Sequence, residues 1–216
     1  MFRCCRRARP KAIDADSALT TTARTATEMI IVTQAPVRRM SYSDNFNRAN
    51  SATSVGTDWT NRLGTCGISS NTFYIAASTG FATYNNVMGT DNHSVSAKVT
   101  AVGSGAGGII AISAGSSGTV AYLWVTATNS YLYLATGLTL SSPHAEAFSA
   151  GGSAVGDVWT VSVSGTVYTV KQNSTVKMNV DTASTFTHDS AHRMVGLGGT
   201  ISGGSWGWDD FAAWDS

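Results

Sequence analysis

Ten carboxylates lie between residues 41 and 216, and only one of them, Glu146, is a glutamate. Glycoside hydrolysis needs two carboxyl groups facing each other across the scissile bond. Asp209 and Asp210 are adjacent, and neighbours on a strand point to opposite faces, so they do not form that pair. His188 and His192 have the spacing of two metal ligands on a helix, but Asp189-Ser190-Ala191 between them reads as a loop. Both are expected to be solvated surface histidines. His93 and His144 have no such partner in sequence. The three cysteines, Cys4, Cys5 and Cys66, read as free thiols, and Cys66 has no histidine nearby in sequence. No catalytic constellation is assembled by spacing, and the chain is not expected to be an enzyme.

Aromatic residues are arranged more suggestively. Residues 120–137 alternate as a β-hairpin, with Asn129-Ser130 as its expected turn. That turn pairs Thr128 with Tyr131, Thr126 with Tyr133 and Trp124 with Ala135. One face then carries Tyr122, Trp124, Tyr131 and Tyr133, and the other carries Ala121, Leu123, Val125, Leu132 and Leu134. Tyr and Trp combine an apolar ring with a polar handle, which suits them to stack on sugar rings. The commoner fate of such a face is to pack against another layer or subunit, and that is the expectation here.

The elements that position these residues are short strands. They are expected near 42–48, 73–77, 81–86, 93–102, 107–113, 120–128, 131–137, 145–149, 157–164, 166–172, 175–180, 193–198 and 206–214, with no sustained helical period. Many short strands with Gly, Asn and Ser turns predict an all-β sandwich or barrel. The last strand holds Trp206, Trp208 and Trp214, half of the six tryptophans. Its alternation puts Trp206, Trp208, Asp210, Ala212 and Trp214 on one side, and Asp209, Phe211 and Ala213 on the other. So apolar a strand belongs inside a sheet, and residues 42–48 are its expected neighbour.

Charge divides the chain in two. Residues 1–40 hold eight Lys/Arg against three Asp/Glu, and residues 41–216 hold six against ten. The reading is a basic N-terminal arm, 1–40, ahead of one domain, 41–216. The domain lacks a basic patch, so sequence-specific nucleic-acid binding is not expected. No apolar run approaches the roughly 20 residues that span a bilayer, and no membrane partner is expected. In the arm, Arg3, Arg6, Arg7 and Arg9 would pair with carboxylates on a partner, and Ile30, Ile31 and Val32 would add a strand to a neighbouring sheet edge.

Asp44-Asn45-Phe46-Asn47-Arg48, Gly56-Thr57-Asp58-Trp59 and Gly67-Ile68 with Asn71 and Tyr74 resemble the opening of concanavalin A-like jelly rolls. Ser104-Gly105-Ala106-Gly107-Gly108-Ile109-Ile110, Val195-Gly196-Leu197 and Trp208-Asp209-Asp210-Phe211 continue that pattern in order. The variant most similar to 41–216 occurs in structural proteins of tailed phages infecting actinobacteria, as tail or capsid accessory modules. The resemblance implies a jelly-roll β-sandwich with an extended N-terminal arm, displayed on the virion surface. Its implied partners are other virion proteins, with copies of the chain meeting in the assembly. The alternative it leaves open is a carbohydrate-binding module that attaches to a surface glycan through Tyr122, Trp124, Tyr131 and Tyr133. No cofactor is expected beyond the calcium that lectins of this superfamily often hold, for which Asp44, Asp91, Asp209 and Asp210 are the oxygen donors available. The acid–x–acid–x–acid strand of the superfamily's glucanases has no counterpart here.

Overall fold

The computed structural model describes residues 39–115, 119–186 and 188–216, and there the chain is all β. Its thirteen strands are, in order, β1 (Ser41–Asp44), β2 (Trp59–Ser69), β3 (Thr72–Tyr84), β4 (His93–Val102), β5 (Gly107–Ala114), β6 (Thr119–Thr126), β7 (Asn129–Thr136), β8 (Ser141–Ala150), β9 (Val158–Ser164), β10 (Val167–Gln172), β11 (Thr175–Asp181), β12 (Met194–Thr200) and β13 (Trp206–Asp215). All pairings are antiparallel, in the order β11-β10-β9-β4-β13-β3-β12-β5-β6-β7-β8, with β1 on β13 and β2 on β3. Strand β3 joins two layers. Its residues Phe73 and Tyr74 pair with β13, while Thr79 to Thr83 pair with β12. The sheet folds over on itself, so that β4 and β9 lie against β5, and β11 against β8. This is a jelly-roll sandwich.

Period-two alternation explains the core. Trp159, Val161, Val95 and Val99 point inward from one layer, and Ile110, Leu123, Leu132 and Leu197 from the other. Trp206 and Trp208 of β13 lie between them, fully buried. The terminal strand does sit inside the sheet, and its neighbour β1 is the expected one, with Ser41 opposite Trp214 and Asp44 opposite Phe211.

Its alternation is not the one expected. Asp209 pairs with Lys98 and Ala212 with Ser96, so one extra residue bulges from β13. Asp210 takes a positive φ of 48° there. An extra residue reverses the parity of the strand beyond it. Trp206 and Trp208 therefore share the inner side with Phe211 and Ala213, while Trp214 is half-buried.

Strand β2 was absent from the expected set, and the two strands at 73–77 and 81–86 are one strand, β3. Two register shifts, at Asn61/Leu63 and Gly64/Cys66, erase alternation along β2. The signal for this hairpin is Ser70-Asn71, both at positive φ, between Ser69 and Thr72. The Asp44–Arg48 motif is structural. Asp44 accepts hydrogen bonds from the Phe46 amide and from Trp59 Nε1, both at 2.8 Å, and forms an ion pair with Arg48. Phe46 and Trp59 thereby join Phe73, Tyr84 and Phe211 in one ring cluster.

Candidate functional site

Strands β6, β7 and β8 position the aromatic face. The β6–β7 register is Trp124 opposite Tyr131 and Tyr122 opposite Tyr133, four residues away from the expected one. The turn is made by Ala127 and Thr128. Thr126 Oγ1 accepts from the amides of Thr128 at 3.2 Å and Asn129 at 3.0 Å, and this ties the turn earlier than Asn129-Ser130. An even shift keeps every side chain on its face, so the four aromatics do stand together on the outer side of the layer.

Phe148 on β8 lies opposite Tyr131 and adds a fifth ring. Ring centroids are 5.1 Å apart for Tyr131–Phe148, 5.5 Å for Tyr131–Tyr133 and 5.5 Å for Tyr122–Tyr133. Trp124 meets Tyr133 edge-on at 6.4 Å. Beneath the rings lie Phe81, Ile109 and Ala111, a second apolar cluster on the side away from the main core. Room for Trp124 comes from Gly107, where an added Cβ would stand 2.7 Å from the indole nitrogen.

Exposure divides the five. Tyr122 is 2% exposed, and burial pushes its phenol pKa up, with Tyr133 adding to the effect. Leu138 and Leu140 pack on this cluster. Trp124, Tyr131 and Tyr133 are half-buried, and Phe148 is 56% exposed. The expectation that the whole face packs under another layer is met by Tyr122 alone.

Two grooves flank Trp124. One, of about 390 Å³, is lined by Ser104, Gly105, Ala106, Thr126, Ala127, Thr128, Asn129 and Tyr131. The other, of about 350 Å³, is lined by Leu63, Thr79, Ile109, Tyr122, Thr139, Leu140, Pro143 and Thr200. Both are of the size that holds small ligands. Among the described residues, no charged side chain lines either groove. A hollow of about 440 Å³ between β1 and the β13 bulge carries Asp44 and Asp210, but Arg48 and Trp59 already engage Asp44, and Lys98 stands 3.5 Å from Asp210.

Groups able to do chemistry are scattered. Glu146 accepts a hydrogen bond from Thr185 at 3.2 Å, and its other oxygen is buried, 3.8 Å from His144 and with no hydrogen-bond partner among the described residues. Their groove holds no second carboxylate among the described residues. Burial holds the Asp209 carboxyl above its usual range. Cys66 is buried, which pushes its thiol up to about 12 and keeps it protonated.

The histidines correct the reading of His188 as solvated. His93 is fully buried, with its ring nitrogens 2.6 Å from the Ile112 carbonyl and 3.2 Å from that of Thr90. His188 is 7% exposed and stands 5.2 Å from the His93 ring, beside the Asp91 backbone. Burial and the neighbouring His93 lower its pKa to about 4. His192 pairs with Asp189 at 2.7 Å.

Of the four carboxylates expected as calcium donors, Asp44 is paired with Arg48 and Asp91 with Arg193, and the described residues bring together no group of three His, Cys, Asp or Glu that could hold a metal. Arg3, Arg6, Arg7, Arg9, Ile30, Ile31 and Val32 lie outside the described residues.

No protein-family profile matches the chain, and no curated protein matches it. Solved structures do. A protein of unknown function with a galectin-like fold from Bacillus subtilis superimposes with a TM-score of 0.61 at 12% identity, over 80% of this chain and 94% of its own. The metal-free carbohydrate recognition domain of Emp46p gives 0.58 at 10% identity, over 80% and 95%. SCLam, a non-specific endo-β-1,3(4)-glucanase from family GH16, gives 0.57 at 11% identity, over 83% and 92%. These likenesses establish a galectin- and concanavalin-type jelly roll.

Proposed function

We propose that the domain is a non-catalytic carbohydrate-binding module whose outer aromatic face stacks on sugar rings. The observation that carries this is Trp124, half-buried between two uncharged grooves and continued by Tyr131, Tyr133 and Phe148. Apolar rings left at the surface in a contiguous row mark an interaction site. A pyranose offers an apolar ring face together with rim hydroxyls, which suit Tyr and Trp through both their rings and their polar ends. The fold adds support, since a carbohydrate recognition domain and a glucanase are built on it. Against hydrolysis stands the single carboxylate at Glu146, without a facing partner in its groove. Affinity electrophoresis in gels cast with soluble polysaccharides tests the reading. The wild-type chain is expected to be retarded by at least one polysaccharide, and Trp124→Ala to run freely in it. Retardation unchanged by Trp124→Ala would refute the site.

The resemblance of 41–216 to phage accessory modules, together with the basic charge of 1–40, supports a placement for this module. We propose that it is displayed on a virion surface and held there by the arm, through Arg3, Arg6, Arg7 and Arg9 and the strand-forming Ile30, Ile31 and Val32. Removing residues 1–40 then abolishes incorporation into particles, read by quantifying the protein on purified virions. Full occupancy after the deletion would sink the placement and leave the glycan site untouched.

A further inference from the structure

We infer that the ligand of this face is an uncharged polysaccharide, bound along its interior and laid across Trp124 so that sugar units occupy both grooves at once. The inference rests on the carbohydrate-binding reading above and goes on to name the ligand class and its mode of binding.

Charge decides the first part. The groove beside the β6–β7 turn offers hydroxyl and amide side chains, Ser104, Thr128 and Asn129, while the Thr126 hydroxyl is committed to the turn. The opposite groove is lined by Thr79, Thr139 and Thr200 among Leu63, Ile109 and Leu140. A uronate or sialate carboxylate placed in either groove would be stripped of water with no cation facing it, an arrangement that proteins avoid. An amino sugar with a free ammonium would equally lack a carboxylate. Glu146 and His144 line a different groove, and the Arg62 guanidinium is turned to the Thr83 hydroxyl at 2.8 Å. Neutral hydroxyls, by contrast, match a lining of Ser, Thr and Asn.

Geometry decides the second part. Trp124 is the residue common to both grooves, so it forms a saddle rather than the floor of a closed pocket. Recognition of a chain end needs a pocket that buries most of the terminal unit, and here the indole separates two hollows. The aromatic row also reaches from β6 across β7 to Phe148 on β8. That row covers two strand spacings, or about 10 Å, which is longer than a single sugar ring. Tyr131 borders the first groove and Tyr122 the second, so each hollow has its own ring beside the shared indole.

Calorimetric titration of the full chain tests both parts. The neutral probes are β-1,3-glucan, β-1,4-glucan, mannan and galactan, each as polymer and as oligosaccharides of increasing length. The charged probes are polygalacturonate, alginate and hyaluronate. Affinity is expected to rise with chain length on at least one neutral series, with no measurable binding of the charged polymers. Thr128→Trp and Thr139→Trp, both at exposed positions, block one groove each. Each is expected to lower polymer affinity about tenfold or more, a loss of about 1.4 kcal/mol. Circular dichroism checks that both variants fold. A disaccharide that binds as tightly as the polymer, with neither block mattering, overturns the crossing mode and leaves Trp124-dependent sugar binding standing. Tighter binding of a charged polymer overturns neutrality alone. Binding to none of these probes overturns this inference together with the function it rests on.

Discussion

The two outer faces of the sandwich come from one continuous sheet, yet they are finished differently. On the layer of β4, β9, β10 and β11, outward positions are mostly polar, with Val158 and Val176 exposed among them, and several bond across strands. Ser94 donates to Ser162 at 2.8 Å, Thr169 to Asn179 at 3.4 Å, and Lys98 lies 3.5 Å from Asp210. On the layer of β12, β5, β6, β7 and β8, together with the end of β3, the same outward parity carries Phe81, Ile109, Tyr122, Trp124, Tyr131, Tyr133 and Phe148. Hydroxyls bonded across strands leave little apolar area in water. Rings left half-covered keep an unrealised gain of roughly 25 cal/mol per Å², available to whatever covers them. A second contrast lies within β5. Gly108 makes room inward for Trp206 and Trp208, and Gly107 makes room outward for Trp124. Adjacent glycines thus serve the core and the candidate site separately.

The largest effect should come from the inner side. Trp208 is fully buried and donates from Nε1 to the Gly198 carbonyl at 2.9 Å. Trp208→Ala is expected to cost about 3–5 kcal/mol, measured by urea unfolding, and a variant as stable as wild type would break the division into core and site.

Acid should act on the inner side too. His188 has a pKa of about 4 in the fold, lowered by burial and then by His93, against an ordinary value of about 6.5. The neutral form is the one the fold favours, so stability is full above about 6.5 and falls as pH drops toward 4. The loss is at most about 3 kcal/mol. Burial lowers His93 as well, and it adds in the same direction. His188→Leu is expected to flatten stability between pH 6.5 and 4 in denaturant titrations, and an unchanged slope would remove His188 as the cause.

On the outer side the order reverses, with binding lost and stability kept. Trp124→Ala is expected to weaken polysaccharide binding at least about tenfold while costing no more than about 2 kcal/mol, since its ring is only half-buried. Thr160 alternates with the inward Trp159 and Val161 on β9 and so faces outward on the opposite layer, and Thr160→Ala is expected to be silent in both measurements. The smallest effect is Gly107→Ala, whose Cβ pushes on the indole from 2.7 Å. A few-fold loss of affinity with the fold intact would show that the position of Trp124 matters as well as its presence.

Much of the fold and of the site is legible in the sequence because β-sheet parity is robust. The hairpin register lies four residues from its expected place, and the aromatic face survives because four is even. Phe148 is hidden for the complementary reason: its place opposite Tyr131 depends on the β7–β8 register, which shifts twice. Strand β2 is masked by its own shifts, and β13 loses its simple alternation to the single extra residue at Asp210. Irregularities of one residue leave no mark in composition or propensity, yet each reverses every side chain beyond it.

By itself, then, the sequence determined the all-β class, the neighbouring of its first and last strands, and the gathering of Tyr122, Trp124, Tyr131 and Tyr133 on one face. Those features come from local periodicity, which each strand carries alone. Tertiary structure decided which of the rings is closed over and which stand open, and that two neutral grooves meet at Trp124. It also decided that His188, expected in water, is buried against His93. Burial is set by what arrives from distant parts of the chain, such as Leu63 from β2 and Leu140 from the β7–β8 turn beside Tyr122, and no local pattern in a strand encodes what will cover it.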